Sequence, residues 1–303
     1  MPQRYRSLNS HFRDRFGRRM QKIPLDAGFS CPNRDGALST KGCVFCNSRG
    51  SGSGLGRAGQ SLAEQWDTWR NRYLAKFKTA PLFMAYLQSF SNTYGPLEHL
   101  CATLDQLRTL PDLAALSVGT RPDCLDAGKL HALASFPSQE TWLELGLQSA
   151  HDTTLARINR GHTVAHFSEA TRQAAAMGLN VCAHIIAGLP GESPDDFLAT
   201  VRFLNTLPIT GIKFHNLYVC SGSTLATLWR SGTYTPIDRD TYAATLAQAI
   251  ALLRPDIIIH RLTGDPAPGE LLAPDWAADK RGLLATIQAA LETHNITQGC
   301  HFA

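Results

Sequence analysis

Short apolar runs alternate with amphipathic helical segments along most of this chain, and that alternation limits the fold more than any other feature. Helical periodicity appears at about 61–79, 96–108, 126–136, 163–177, 194–206 and 223–231. Between these segments lie PLFMAYLQSF, LAALSVGT, TWLELGLQS, LNVCAHIIAGLP and GIKFHNLYV, with a first strand predicted near KIPLDAGF. Strand, helix and strand in repetition dictate a parallel sheet with right-handed crossovers and helices packed outside. About six βα units suit either an open doubly wound sheet or a partial barrel.

Polar residues inside the strands favour the barrel. Parallel strands covered on both faces normally read as continuous apolar runs. Here one parity of several runs is polar or small: Tyr86 and Gln88, Ser117 and Gly119, Glu144, Gly146 and Gln148, Cys182 and His184, Lys213 and His215. Alternate strand residues share a side, so five strands with this pattern predict a lumen that holds a polar ligand. The expected fold is α/β, a partial (β/α)6 TIM-like barrel with its site at the C-terminal strand ends. Residues 23–232 would form it. From about 233 to 303 a helix near 238–253, a short strand at 256–260 and a helix near 276–294 read as a small α/β C-terminal extension packing on the barrel.

At 303 residues, 44% hydrophobic and 18% charged, the chain has ample material for such a core, and disorder is excluded. No run approaches 18 consecutive apolar residues, so no membrane span is expected. The first 20 residues lack the apolar core and cleavage site of a signal peptide, which predicts a cytoplasmic protein. Residues 1–22 carry Arg4, Arg6, Arg13, Arg15, Arg18, Arg19 and Lys22 against Asp14 alone, whereas the whole chain is only +4. That edge reads either as an RNA-holding surface or as a solubilising terminus.

Of eight cysteines, Cys101, Cys124, Cys182, Cys220 and Cys300 are scattered and suit small core positions. Cys31, Cys43 and Cys46 are clustered as C-x11-C-x2-C. Three thiolates at this spacing suit structural zinc, an iron–sulfur cluster, or redox chemistry by the Cys43/Cys46 pair. Zinc requires a fourth ligand, and His11 and His99 are distant in sequence. A thioredoxin-like pair would follow a strand at a helix start, without a third upstream cysteine. A [4Fe–4S] cluster on three cysteines leaves one iron open. The glycine cluster at 50–59 reads as a mobile loop; it lacks the Lys-Ser/Thr of a phosphate cradle.

The segment KIPLDAGFSCPNRDG…KGCVFCNSRGSG resembles the cluster loop of a radical S-adenosylmethionine (SAM) enzyme, of the YhcC-type family in which the first cysteine interval is wide. QSFSNTYGP, SVGTRPDC, ELGLQSAHDTTLARINRGH, HIIAGLPGE, GIKFHNLYV, HRL near 260 and LLAPDW match the same family, so the resemblance covers nearly the whole chain. In its SAM domain the family is similar to the Elongator catalytic subunit and to oxygen-independent coproporphyrinogen oxidase.

The resemblance implies the cofactors and their holders. Cys31, Cys43 and Cys46 would ligate three irons of a [4Fe–4S] cluster, and S-adenosylmethionine would chelate the fourth. Phe45 would pack near adenine. Gln88, with Asn92 and Thr93 in the Ser91–Asn92–Thr93 turn, would lie where relatives bind the SAM amino group, although the usual glycine-rich motif is absent. Gln148 and Arg160 match positions that contact the SAM ribose or carboxylate, and His184 stands where many relatives have an aspartate. An electron delivered to the cluster would cleave SAM to methionine and a 5′-deoxyadenosyl radical that abstracts hydrogen from substrate. Glu144, Lys213 and His215, on the predicted lumen face, are candidates to orient substrate or move a proton.

For the substrate, the resemblance points to tRNA modified at the C5 substituent of the wobble uridine, with phosphate contacts at the basic edge. Tyr5, Phe12, Phe16 and Phe29 interleave that edge and suit base stacking or packing on the barrel. The alternatives are a small-molecule radical reaction and, further off, a zinc-binding interaction protein. Sulfur insertion would need a second cluster, for which only Cys124, Cys182 and Cys220 are at hand. The chemistry implies a flavodoxin- or ferredoxin-like reductant.

Overall fold

The computed structural model describes residues 3–48, 50, 58–79 and 81–302. In chain order the elements are α1 (Leu8–Phe16), β1 (Met20–Leu25), α2 (Leu62–Lys76), β2 (Leu82–Leu87), α3 (Leu97–Arg108), β3 (Leu113–Thr120), α4 (Ala127–Ala134) and β4 (Glu140–Gln148). They continue with α5 (Asp152–Arg157), α6 (Val164–Ala176), β5 (Asn180–Ala187), α7 (Pro194–Asn205), β6 (Gly211–Asn216), β7 (Val219–Cys220) and α8 (Thr224–Arg230). The chain closes with α9 (Arg239–Leu252), β8 (Ile258–Arg261), β9 (Leu271–Ala273) and α10 (Lys280–Thr293). Most of the glycine cluster read as a mobile loop, residues 51–57, lies outside the described residues.

Helix starts follow from local chemistry. The Ser61 hydroxyl accepts from Glu64 N and the Glu64 carboxylate accepts from Ser61 N, a capping box that opens α2. Ser193 and Asp196 repeat it at α7, with Pro194 at the first helical position. Asp126, Asp238 and Asp279 cap α4, α9 and α10.

Seven strands form one parallel sheet in the order β1-β2-β3-β4-β5-β6-β8, and β7 pairs antiparallel with β9. Sequential order with every crossover on one side is the winding of a barrel. The curl is measured by contacts across the lumen. Lys22 Nζ on β1 lies 2.7 Å from Glu144 Oε1 on β4, and Lys213 Nζ on β6 lies 3.1 Å from the Tyr86 hydroxyl on β2. In a flat sheet those strand pairs would stand roughly 14 and 19 Å apart, at about 4.8 Å per strand. The sheet is a half-barrel. It has seven strands, not the six expected from the alternation, because Ile258–Arg261 pairs with β6. An isolated four-residue strand between helices carries no alternation of its own to announce that partner.

The main core lies between the outer sheet face and the helices, built on residues such as Leu116, Leu143, Val181, Ile212, Phe167 and Leu246. A second cluster fills the lower end of the lumen. There Phe12, 1% exposed, packs against Met20, Met84, Ala115, Trp142, Cys182 and Ile258, all from the first halves of their strands. Helix α1 therefore plugs the N-terminal end of the barrel, and Ile259 N donates to Arg6 O at the β8 edge. The basic segment is thus a structured plug, on the end opposite the strand C-termini. Arg4 donates to Ile296 O and Arg6 to Asp256 O, Arg15 pairs with Glu140, and Lys22 turns inward. Its aromatics pack on the barrel: Tyr5 against the main core, Phe16 beside Phe12, and Phe29 stacked 4.2 Å from the His99 ring.

Candidate functional site

A cavity of about 610 Å³ opens at the C-terminal strand ends, within the size range of cofactor sites. Cys31, Cys43 and Cys46 all line it, although 11 residues separate the first two. The loop doubles back to achieve this. Leu38 N donates to Pro32 O, Gly42 N to Asn33 O, and Cys46 N to Cys43 O, at 2.7–2.9 Å. The turn after α5 clips the loop from outside. Asn159 Nδ2 donates to Gly42 O at 2.7 Å, Asn33 Nδ2 donates to Asn159 O, and Val44 N donates to Ile158 O.

The thiols sit among cations. Arg160 Nη1 and Asn33 Nδ2 each approach Cys43 Sγ at 3.5 Å, and Arg34 Nη2 donates to Cys46 O at 2.7 Å. Burial and the neighbouring Cys43 thiol push the Cys46 thiol up to about 11, with Arg34 acting against them. A group that accepts three thiolates must supply compensating positive charge, which an iron–sulfur cluster does. Among the described residues no three His, Cys, Asp or Glu side chains close on a single ion. The three cysteines line one cavity and offer three thiolates, which suits a cluster with one open iron, whereas a closed zinc site needs a fourth ligand. The residues present fit the group.

Beside the cysteines the structure brings together Phe45, Gln88, Gln148, Arg160 and His184, all lining the cavity. Gln148 ends β4 at φ 76, a left-handed conformation uncommon for a residue with a side chain and of the kind concentrated at ligand sites. Arg160 is buried, donating through Nη2 to Gly146 O and through Nε to His162. Burial and the Arg160 charge lower His162 to about 3, so it accepts that bond as neutral imidazole. Asn92 and Thr93 are placed elsewhere. The Asn92 amide donates to Leu87 O and Gly119 O, the Thr93 hydroxyl bonds Thr120 Oγ1 and Cys124 O, and both brace the β2–β3 corner behind the cavity wall.

Arg121 was not among the candidates, although SVGTRPDC carries it. It is 2% exposed, held bidentately by Asp123, and its Nη1 is buried without a partner among the described residues. It lines the cavity, and although burial works against its charge, Asp123 holds its pKa above the ordinary value. Polar residues following a strand are common, so only its burial and orphaned donor single it out. Cys124, Cys182 and Cys220 do not converge: Cys182 belongs to the lower packing cluster, Cys124 to the turn after β3, and Cys220 to β7.

Gly146 lets this wall form. A Cβ there would overlap Arg160 Nη2 and Gln148 Nε2. Both are ends of flexible side chains, so Gly146→Ala is expected to fold and to displace them. If these two side chains hold SAM, as the resemblance implies, the variant should bind it about tenfold more weakly, read by equilibrium dialysis of the cluster-loaded protein.

Below this level the lumen holds a polar network to which every strand of the sheet contributes. Glu144, fully buried on β4, accepts at Oε1 from Lys22 at 2.7 Å and Ser117 at 2.6 Å, and at Oε2 from His184 at 2.8 Å and from Lys213. Lys213 also donates to Tyr86, and His260 Nδ1 of β8 stands 4.0 Å from Glu144 Oε1. Burial alone would raise the Glu144 carboxyl, but Lys213, Lys22 and His184 hold it well below its ordinary range. Lys213 is lowered to about 8 by burial, which Glu144 only partly opposes. Burial with Lys213 lowers His184 to about 4, and burial with Arg261 holds His215 well below the imidazole range. Glu144 and Lys213 meet directly, His215 stands with its ring 5.5 Å from that of His184, and Lys22 joins them, its place among the basic residues of the N-terminus having concealed it.

A model of the Radical SAM superfamily matches residues 39–204, and a model of the Radical_SAM C-terminal domain matches residues 209–293. Over 300 residues the chain is 35% identical to YtqA of Bacillus subtilis (strain 168), covering 99% of this chain and 93% of that protein. It is 36% identical over 284 residues to YhcC of Escherichia coli (strain K12), covering 93% and 90%. A stretch of 174 residues is 31% identical to a tRNA uridine(34) acetyltransferase of Dehalococcoides mccartyi (strain CBDB1), 55% of this chain and 38% of that protein. Among solved structures, the archaeal Methanocaldococcus infernus Elp3 shares the fold with TM-score 0.70 at 16% identity, covering 81% of this chain and 62% of that one. The chain belongs to the radical SAM superfamily and is an enzyme whose cofactors are a [4Fe–4S] cluster and S-adenosylmethionine.

Proposed function

We propose that Cys31, Cys43 and Cys46 hold the cluster and that the enzyme modifies tRNA at the C5 substituent of the wobble uridine. Held at this wall, the two cofactors would supply the radical chemistry that abstracts hydrogen from substrate. Gln148, Arg160 and Gln88 would position SAM, with Phe45 beside its adenine and Arg121 as a further cation. His184 joins the lumen network through Glu144 instead of standing free for a ribose. Glu144, Lys213 and His215 would then orient the substrate beneath SAM. A flavodoxin- or ferredoxin-like protein would deliver the electron, in the cytoplasm, where cysteines stay reduced. Among the described residues no helix is long and apolar enough to cross a membrane.

The observation that carries the tRNA reading is the 31% identity, over half of this chain, to a protein that acts on tRNA uridine 34. An RNA base splayed from a single-stranded loop can enter a barrel mouth. A specific observation also favours a small-molecule substrate. The basic N-terminal residues lie at the plugged end of the barrel, away from the mouth, and several are engaged within the chain. The test is anaerobic 5′-deoxyadenosine production under dithionite, with and without bulk tRNA. The tRNA reading expects stimulation of about tenfold or more, because remote contacts of a true substrate raise turnover. Production indifferent to tRNA would transfer the assignment to a small molecule.

A further inference from the structure

The lower lumen carries more positive charge than its own acids neutralise. Glu144 is shared by Lys22 and Lys213, and it already accepts from four donors. Asp265, which also lines the cavity, pairs with Arg261 and with the exposed Lys280, so the excess is the second ammonium at Glu144. The three imidazoles nearby, His184, His215 and His260, are held neutral by burial and by these same cations, so they add no charge of their own. A buried ammonium without a matching anion is costly. A protein retains one where a ligand completes the balance.

Unused donors line the same cavity two and three residues beyond Lys213, toward the C-terminal end of β6. Asn216 Oδ1 accepts from Gly264 N at 2.8 Å and from the Thr263 hydroxyl at 2.9 Å. A backbone N–H can only donate, so the amide orientation is fixed and the Nδ2 group faces away from them. That Nδ2 is buried without a partner among the described residues, as is His215 Nε2, and both residues line the cavity. This charge is not at the cofactor's level. Glu144 precedes Gly146, whose carbonyl holds Arg160 beside Cys43, by two strand residues, so Glu144 lies about 7 Å deeper at roughly 3.3 Å per residue. Arg160, Arg34 and Arg121 already serve the upper level.

We propose that the lumen from Lys213 up to the ends of β6 and β8 is a receptor for an oxyanion carried by the substrate, a carboxylate or phosphate, with Lys213 as its principal contact. Lys22 and Arg261 contribute charge, and His215 and Asn216 contribute N–H donors. The inference rests on the radical SAM reading only in taking the oxyanion to be part of the substrate.

The test is calorimetric titration of the cluster-loaded full chain with acetate and, separately, inorganic phosphate. Wild type is expected to bind one of them at a single saturable site, and which one binds distinguishes carboxylate from phosphate. Lys213→Met should weaken that binding about tenfold or more, and Lys213→Arg should keep it within about threefold, as expected for a charge-assisted contact. SAM affinity should be unchanged in Lys213→Met. Lys22→Met gives the same comparison from the opposite strand if Lys213→Met does not fold. Because the methionine variant leaves Glu144 paired with Lys22, its Tm in anion-free buffer should equal or exceed that of wild type, whereas a purely structural lysine would lower it. No saturable binding of either anion, equal binding in Lys213→Met, or loss of SAM affinity there would overturn the proposal. Absence of 5′-deoxyadenosine under dithionite would count against the radical SAM assignment alone, since the anion titration does not depend on turnover.

Discussion

Replacing Cys43 by alanine is expected to abolish 5′-deoxyadenosine production, to below about one part in a thousand of wild type, because the chemistry belongs to the cofactor and the protein has no substitute for it. Cys43 is the informative choice among the three cysteines. Its sulfur is the one approached by both Arg160 and Asn33, and it is buried at 5% exposure, whereas Cys31 and Cys46 are partly exposed. The fold should survive: the loop is closed by backbone bonds and by the Asn33–Asn159–Gly42 contacts, none of which uses the Cys43 side chain. Iron and acid-labile sulfide content after anaerobic reconstitution should fall with activity while the circular dichroism spectrum is retained. A variant that keeps four irons and cleaves SAM would remove Cys43 from the ligand set.

The scaffold was legible because its signals are local. Each strand from 82 to 216 is a short apolar run between helices, several of which open on a capping side chain, and polar residues of one parity marked the lumen from Tyr86 through Lys213. What escaped the sequence is long-range pairing. Strand β8 has four residues, and its place depends on the edge that β6 offers. Helix α1 reads as a basic terminus, because its burial rests chiefly on Phe12 while its arginines face outward. At the site, the cysteine spacing marked the segment that lines the cavity, while the cluster reading came from the family resemblance. Arg121 and Lys22 were hidden among ordinary surface charges, since only burial distinguishes them. The resemblance put Asn92 and Thr93 at the cofactor; in the structure the Asn92 amide and the Thr93 hydroxyl bond carbonyls that the β2–β3 corner leaves open.

Those buried charges make the second large effect a matter of stability. Glu144→Gln is expected to cost about 3–5 kcal/mol near pH 6, the usual result of removing one partner from a buried ion pair. The corresponding fall in Tm is roughly 10 °C for a domain of this size. The amide keeps the shape and some hydrogen bonds, so the loss reports charge: Lys22 and Lys213 are left facing each other. The groups around Lys213 are Lys22, His184, His215, Tyr86 and Cys182, none of them anionic near neutral pH once Glu144 is gone. Lys213 then lowers the cost by releasing its proton. In wild type its folded pKa is already about 8, below its unfolded value. The unfolded chain therefore binds more protons above that pH, and stability rises with pH from about 8 to about 10.4. Without Glu144 the folded pKa falls further, so the same rise begins at lower pH. The stability gap between wild type and Glu144→Gln should accordingly narrow as pH climbs from 6 to about 8 and stay constant above it. Urea denaturation at intervals across that range measures the gap directly. Glu144→Gln/Lys213→Met, which removes both charges, should lose less than Glu144→Gln alone at pH 6 and show no such narrowing. A gap that is flat from pH 6 to 8 in the single variant would mean that Lys213 keeps its proton without Glu144, and that the cavity compensates buried charge by some route other than this pair.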